Sequence, residues 1–79
     1  MDPYNQLLSL GNSCGYPGEP QNGKVVGEDY SFGKLVNYTC NKGYNLIGDT
    51  QRECLLSGRW TGSVPKCQSK NPYDNNFKL

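Results

Sequence analysis

Four cysteines, Cys14, Cys40, Cys54 and Cys67, offer the most chemistry in this chain. Four thiols can hold a metal or close two disulfides. A zinc site wants ligand pairs a few residues apart, usually joined by histidine. Here the closest two cysteines stand 13 positions apart and the chain contains no histidine. Disulfides are therefore the reading, in any of the three pairings that four cysteines allow. An oxidising compartment outside the cell follows from their use, and no metal or cofactor is expected.

The same lack of histidine removes any Ser-His or Cys-His nucleophile. Glu28, Asp29, Asp49 and Glu53 are the acids available for a carboxylate pair, but each falls at a predicted turn or strand edge, where a solvated charge is the ordinary outcome. Gly43-Tyr44 and Gly48-Asp49 are turn glycines without the lysine and helix of a phosphate loop. The chain reads as non-enzymatic. One modification signal does stand out. Asn37-Tyr38-Thr39 is an N-glycosylation sequon, and in a secreted protein it marks a surface position. Asn12-Ser13-Cys14 is the rarer Asn-x-Cys form, discounted because Cys14 is needed for a cross-link.

These residues must be positioned by a small body. A chain of 79 residues makes one domain, and one of about this size buries roughly 60% of the surface its unfolded chain exposes. Such a core rarely supplies more than about 3–5 kcal/mol, so staples are expected. Trp60 carries the largest apolar side chain, on the order of 200 Å², and lies between Cys54 and Cys67. A net charge of +1 gives no field for nucleic acid or an anionic membrane. No apolar run approaches the ~20 residues of a membrane span. Leu7-Leu8-Ser9-Leu10 is too short for a signal-peptide core and has no basic region before it. The chain is expected to be an excised piece of a longer protein.

Residues 1–13 and 68–79 read as polar, flexible linkers or cloning remnants around a folded part at 14–67. That part opens on Cys14-Gly15-Tyr16-Pro17-Gly18-Glu19-Pro20, which prolines and glycines keep extended and kinked. Asn22-Gly23 is the strongest turn signal, both residues tolerating positive φ. Short strands are predicted at Lys24–Val26, Leu35–Cys40, Tyr44–Ile47 and Thr50–Cys54. Alternation places Val36, Tyr38 and Cys40 on one face and Asn37 and Thr39 toward water. Parity puts Arg52 beside Cys54 on a buried face, which demands a bulge or a snorkelling stem. The fold class is all-β.

The landmarks Cys14-Gly-Tyr-Pro17, Asn22-Gly23, Tyr30-Ser-Phe32-Gly33, Val36-Asn-Tyr38-Thr-Cys40, Gly43-Tyr44-Asn-Leu46-Ile-Gly48, Cys54, Gly58-Arg-Trp60 and Pro65-Lys-Cys67, in this order, resemble the sushi domain. This module is also called the complement control protein repeat or short consensus repeat. The resemblance covers 14–67. It implies a small disulfide-stapled elongated β-sandwich, pairings Cys14–Cys54 and Cys40–Cys67, and termini at opposite ends.

Phe32, Val36, Tyr38, Tyr44, Leu46 and Trp60 are expected to form the core rather than a binding patch. Tyr16, near the N-terminal end, is expected to be exposed. The loop from Gly27 to Ser31, with Glu28, Asp29 and Tyr30, is polar and lies between strands, so it and Tyr16 are the expected partner contacts. Lys24, Lys34, Lys42, Arg52, Arg59 and Lys66 are too scattered among acids to read as a glycosaminoglycan site. The function expected is extracellular protein recognition by one repeat of a larger protein. The resemblance implies complement fragments as one class of partner and adjacent modules of the parent chain as another. A structural spacer or adhesion module, or the exosite arm of a secreted serine protease, are the alternatives.

Overall fold

The structure, a computed structural model, describes residues 13–71. Five strands follow in order: β1 (Gly23–Val26), β2 (Leu35–Cys40), β3 (Tyr44–Ile47), β4 (Gln51–Glu53) and β5 (Lys66–Ser69). Among the described residues there is no helix. Strands β1, β2 and β4 form one antiparallel sheet with β2 in the centre, and β3 and β5 form a second, two-stranded sheet. The chain changes sheets three times, from β2 to β3, from β3 to β4 and from β4 to β5. A tight turn closed by Tyr44 N–H donating to the Asn41 carbonyl (3.0 Å) leads from β2 into β3, and Gly48-Asp49-Thr50 returns it to β4.

Alternation along β2 works as the sequence predicts. Val36 and Tyr38 are buried while Leu35, Asn37 and Thr39 are exposed. The register carries this parity across the sheet, because residues directly opposite share a face. Val25 pairs with Tyr38 and Arg52 with Val36 on the inner side; Val26 and Gln51 flank Asn37 on the outer side. On the second sheet Tyr44 and Leu46 are half-buried, opposite Ser69 and Cys67. Among the described residues Val36, Tyr38 and Cys54 form the buried apolar core, and Pro17, Pro20 and Pro65 are buried as well. Trp60 is half-buried, at the border rather than the centre.

Two expectations need correction. Phe32 is not core. It sits at the turn closed by Lys34 N–H and the Ser31 carbonyl (3.0 Å), and its ring is 49% exposed. A turn tip projects away from both sheets, so an aromatic there has nothing to pack beneath. The C-terminal boundary also lies further on. Gln68 and Ser69, assigned to a flexible tail, are the second half of β5, and Lys70 N–H still donates to the Gly43 carbonyl (2.9 Å). Lys66-Cys67-Gln68-Ser69 has no β-branched or aromatic residue to announce a strand. Ser13 likewise bridges to Ser31. The flanks up to Asn12 and from Pro72 onward lie outside the described residues.

The cross-links are Cys14–Cys54 and Cys40–Cys67, with Cα–Cα distances of 5.8 and 5.5 Å. They stand at opposite ends of β2. Cys40 is its last residue, while Cys54 N–H donates to the Lys34 carbonyl just before its first (2.9 Å). The expected Asn22-Gly23 turn is present, closed by Gly23 N–H donating to the Pro20 carbonyl (3.3 Å). Only Asn22 is left-handed (φ 67°). Gly23 is required by space instead: a Cβ there would lie 2.5 Å from Cys67 Sγ, 2.6 Å from the Thr39 carbonyl oxygen and 3.0 Å from Pro20 Cγ.

Two outcomes test this framework. Replacing Cys40 and Cys67 together by alanine releases a loop with a sequence separation of 27 and should cost about 3.5 kcal/mol on the chain-entropy estimate, read as a fall in the urea midpoint. Gly23→Ala should destabilise strongly, by about 2–4 kcal/mol, since two of the three obstructing atoms belong to the backbone and a disulfide. A Gly23→Ala chain with an unchanged midpoint would refute this packing.

Candidate functional site

The end of the module that holds Cys14–Cys54 also gathers most of the exposed or half-exposed aromatic surface. Cys14 N–H donates to the Tyr30 carbonyl (2.9 Å), which draws the incoming chain against the loop that leads to β2. Gly15, at φ 75°, turns its carbonyl to accept from the Trp60 indole N–H (3.0 Å). Three rings then stack edge to face. Tyr30 meets Trp60 at 6.0 Å between centroids and 77° between planes, and Tyr16 meets Tyr30 at 6.2 Å and 68°. Edge-to-face pairs of this kind contribute about 0.5–1.5 kcal/mol beyond area burial. Tyr16, the outermost, remains 62% exposed. Its hydroxyl titrates above the ordinary tyrosine range through partial desolvation, then the charge of Glu19 beside it.

Of the expected contact residues, the structure brings Tyr16 and Tyr30 together and adds Trp60. Glu28 and Asp29 are exposed on the same loop as Tyr30. Asp29 has a structural task. Its carboxylate accepts from the Ser31 backbone N–H (3.1 Å) and from the Ser31 hydroxyl, a short contact, and these bonds hold its carboxyl below the ordinary carboxylate range. Asp49 also has a structural task, accepting from the Ser63 N–H (3.1 Å) and so tethering the loop after Trp60.

Arg52 is the residue that sequence parity found awkward. Register along β2–β4 is unbroken from Leu35–Glu53 to Asn37–Gln51, so no bulge intervenes and the side chain does point inward. Its Nε donates to the Thr61 carbonyl (2.6 Å), Nη1 to the Pro17 carbonyl (3.0 Å) and the Tyr38 hydroxyl (3.3 Å), and Nη2 to the Gly62 carbonyl (3.4 Å). All four acceptors are uncharged oxygens. One guanidinium therefore ties β4 to the incoming chain, to β2 and to the loop after Trp60, and Arg52 is withdrawn from the basic surface. The sequence signal was present, as a cation at an inward parity position, but its acceptors are backbone carbonyls that no residue type announces.

Asn37 stands on the outer face of β2, exposed as expected, with its Oδ1 accepting from Gln51 Nε2 (3.1 Å). Two shallow depressions, of about 260 and 380 Å³, lie by the other disulfide; the first is lined by Gln21, Asn22 and Pro65, the second by Ile47 and Gln68, and both by Lys66 and Cys67. Among the described residues no three His, Cys, Asp or Glu side chains converge as metal ligands do, and no helix is long and apolar enough to cross a membrane.

A fold of two small antiparallel sheets, cross-linked first-to-third and second-to-fourth, defines a class, and the family model described as Sushi repeat (SCR repeat) matches residues 14–67. The chain belongs to the sushi-repeat family. It is 48% identical over 56 residues to the rat protein named Sushi, von Willebrand factor type A, EGF and pentraxin domain-containing protein 1, covering 71% of this chain and 2% of that one. Bovine complement factor B is 43% identical over 61 residues, covering 77% of this chain and 8% of that protein. Complement decay-accelerating factor of Pongo pygmaeus is 40% identical over 60 residues, 71% of this chain and 18% of that one. The chain thus spans a small part of each of these relatives.

The Asp29 turn gives a direct check. A carboxyl held low in the folded state adds stability that is present above its unfolded value and is lost as pH falls through the folded one. In Ser31→Ala both the hydroxyl donor and part of the turn geometry go, so Asp29 should titrate higher than in the parent chain by carboxyl-carbon NMR. An identical titration curve would show that Ser31 does not set it.

Proposed function

We propose that this chain is a non-catalytic recognition module of a larger extracellular protein, and that it engages a protein partner through the edge carrying Tyr16. The observation that carries this reading is the state of Tyr16 itself. The ring is 62% exposed yet braced by Tyr30, which is braced by Trp60, whose indole is tied to Gly15. A large amphipathic side chain whose position is already fixed loses little conformational freedom on contact, and tyrosine is enriched among residues that dominate interfaces. Glu28 and Asp29 on the neighbouring loop supply an acidic rim. The non-catalytic reading rests on the missing histidine and on Asp29 and Asp49 being engaged by the backbone N–H groups of Ser31 and Ser63.

Complement fragments are the partner class this reading names, supported by relatives whose own names place them in complement. A specific observation also favours a spacer role. Ser13 bridges to Ser31 at the Cys14–Cys54 end, whereas Lys70 is bound to Gly43 beyond the last residue of β2. The described part therefore enters at one end and leaves at the other, as a serial element between neighbouring modules would. Residues 14–67 with the short extensions to Ser13 and Lys70 are proposed as the module, and the outer flanks as linkers.

The experiment is a biosensor titration of purified complement fragments over the oxidised chain and over Tyr16→Ala. Binding should weaken about tenfold or more in the variant, equivalent to about 1.4 kcal/mol, with its thermal midpoint nearly unchanged. Equal binding by both would move the contact off Tyr16. Binding by neither would leave the spacer role and sink recognition by the isolated module.

A further inference from the structure

Val26 and Leu35 are large apolar residues left 47% and 48% exposed on the outer face of the three-stranded sheet. Asn37 adjoins both. It is the direct cross-strand partner of Val26 and stands two residues from Leu35 on the same face of β2. These placements put the Cβ atoms about 5 Å and about 7 Å from that of Asn37. Lys24, Thr39, Gln51 and Glu53, exposed at the register positions around them, make the remainder of this face polar. Gln51 on β4 takes the Asn37 Oδ1 (3.1 Å). This bond engages the oxygen of the carboxamide and leaves Nδ2 outside the contact with Gln51.

We propose that an N-linked glycan on Asn37 is what covers this face, its first N-acetylglucosamine lying across Val26 and Leu35. The apolar C–H face of the sugar ring and its acetyl methyl would remove these two side chains from water. The glycan is carried in from a lipid pyrophosphate. The bond from Asn37 Nδ2 to the anomeric carbon forms, the bond from that carbon to the pyrophosphate oxygen breaks, the lipid pyrophosphate departs and Nδ2 gives up one proton. The inference rests on the secreted location proposed above. It also assigns the surfaces: the outer face of β1–β2–β4 belongs to carbohydrate, and protein contacts fall elsewhere.

The test compares the chain secreted from a eukaryotic host, the same material trimmed enzymatically to one N-acetylglucosamine, and bare chain refolded from bacteria. Nuclear Overhauser contacts between the sugar and the Val26 and Leu35 methyls are expected in both glycosylated forms. The thermal midpoint should rise by a few degrees over the bare chain, with the single sugar retaining the gain. In Val26→Thr/Leu35→Thr, a change confined to exposed positions, that gain should disappear. A sugar attached at Asn37 without those contacts overturns this inference alone. No mass added at Asn37 overturns it together with the occupancy of the sequon, and leaves the binding experiment on Tyr16 untouched.

Discussion

Everything in this module hangs on the two disulfides at the ends of β2. Val36, Tyr38 and Cys54 are its buried apolar residues, and one of them is itself a bridge residue. An interior so small cannot offset the conformational entropy of ordering about sixty residues. The bridges act on the other side of that balance by restricting the unfolded chain, contributing about 4 and about 3.5 kcal/mol on the chain-entropy model for sequence separations of 40 and 27. Their placement matters as much as their number. Cys14–Cys54 fastens the incoming segment and β4 to the start of β2; Cys40–Cys67 fastens β5, hence the second sheet, to its end.

Between the bridges the interior is completed by polar groups rather than by more hydrocarbon. Arg52 reaches through the space a larger core would fill and donates to Thr61, Pro17, Gly62 and Tyr38. A half-buried cation is costly when unpaired and tolerable when its donors are met. Asp49 works on the same loop from the other direction, binding Ser63 N–H, and Gly62 suits its place because its φ of 63° is left-handed and a Cβ there would have to displace the Asp49 carboxylate. Backbone bonds anchor the start of this segment, since Thr61 N–H donates to the Glu53 carbonyl (2.9 Å) and Trp60 bridges to Cys54, and the two side chains hold the rest. Trp60 thus arrives at a defined position with its indole N–H on Gly15, and the stack of Tyr30 and Tyr16 is built on that. The inward-facing arginine is one of the supports beneath the exposed tyrosine edge.

The parts of this architecture that depend on period and residue type were legible in the sequence. β2 and β3 run from Leu35 to Cys40 and from Tyr44 to Ile47 as alternation predicts, because β-branched and aromatic residues mark them and glycines bound them. The cysteine pairing and the sandwich came from family resemblance, since three pairings fit four cysteines equally well on spacing. What stayed hidden depends on tertiary neighbours. β5 is polar and becomes a strand because Cys67 is bridged to Cys40 and β3 offers an edge. Phe32 has a core residue's composition but a turn's position. Gly23 signals a turn, yet its requirement comes from Cys67 Sγ and Thr39, residues 44 and 16 positions away. At the candidate site, Tyr16 was legible as an exposed residue near the chain's approach, whereas its support by Tyr30 and Trp60 was not.

The two faces of the domain divide labour according to what backs each exposed side chain. Val26 and Leu35 rest on a regular sheet beside Asn37, the proposed glycan acceptor, a flat surface that gives a protein little shape to read. Tyr16 projects from an irregular segment shaped by Pro17 and by the positive φ of Gly15, and its ring is steadied by other rings instead of by a ladder. Irregular backbone on a rigid scaffold is where recognition usually lives. A carbohydrate on the sheet would reinforce that division by shielding the flat apolar surface from chance contacts. A partner would then be directed to the end where the chain enters, the point at which a preceding module would also stand. If a partner binds there as proposed, recognition and inter-module contact would compete for the same aromatic edge, and the affinity of the isolated module and that of the parent protein would be set by different neighbours of Tyr16.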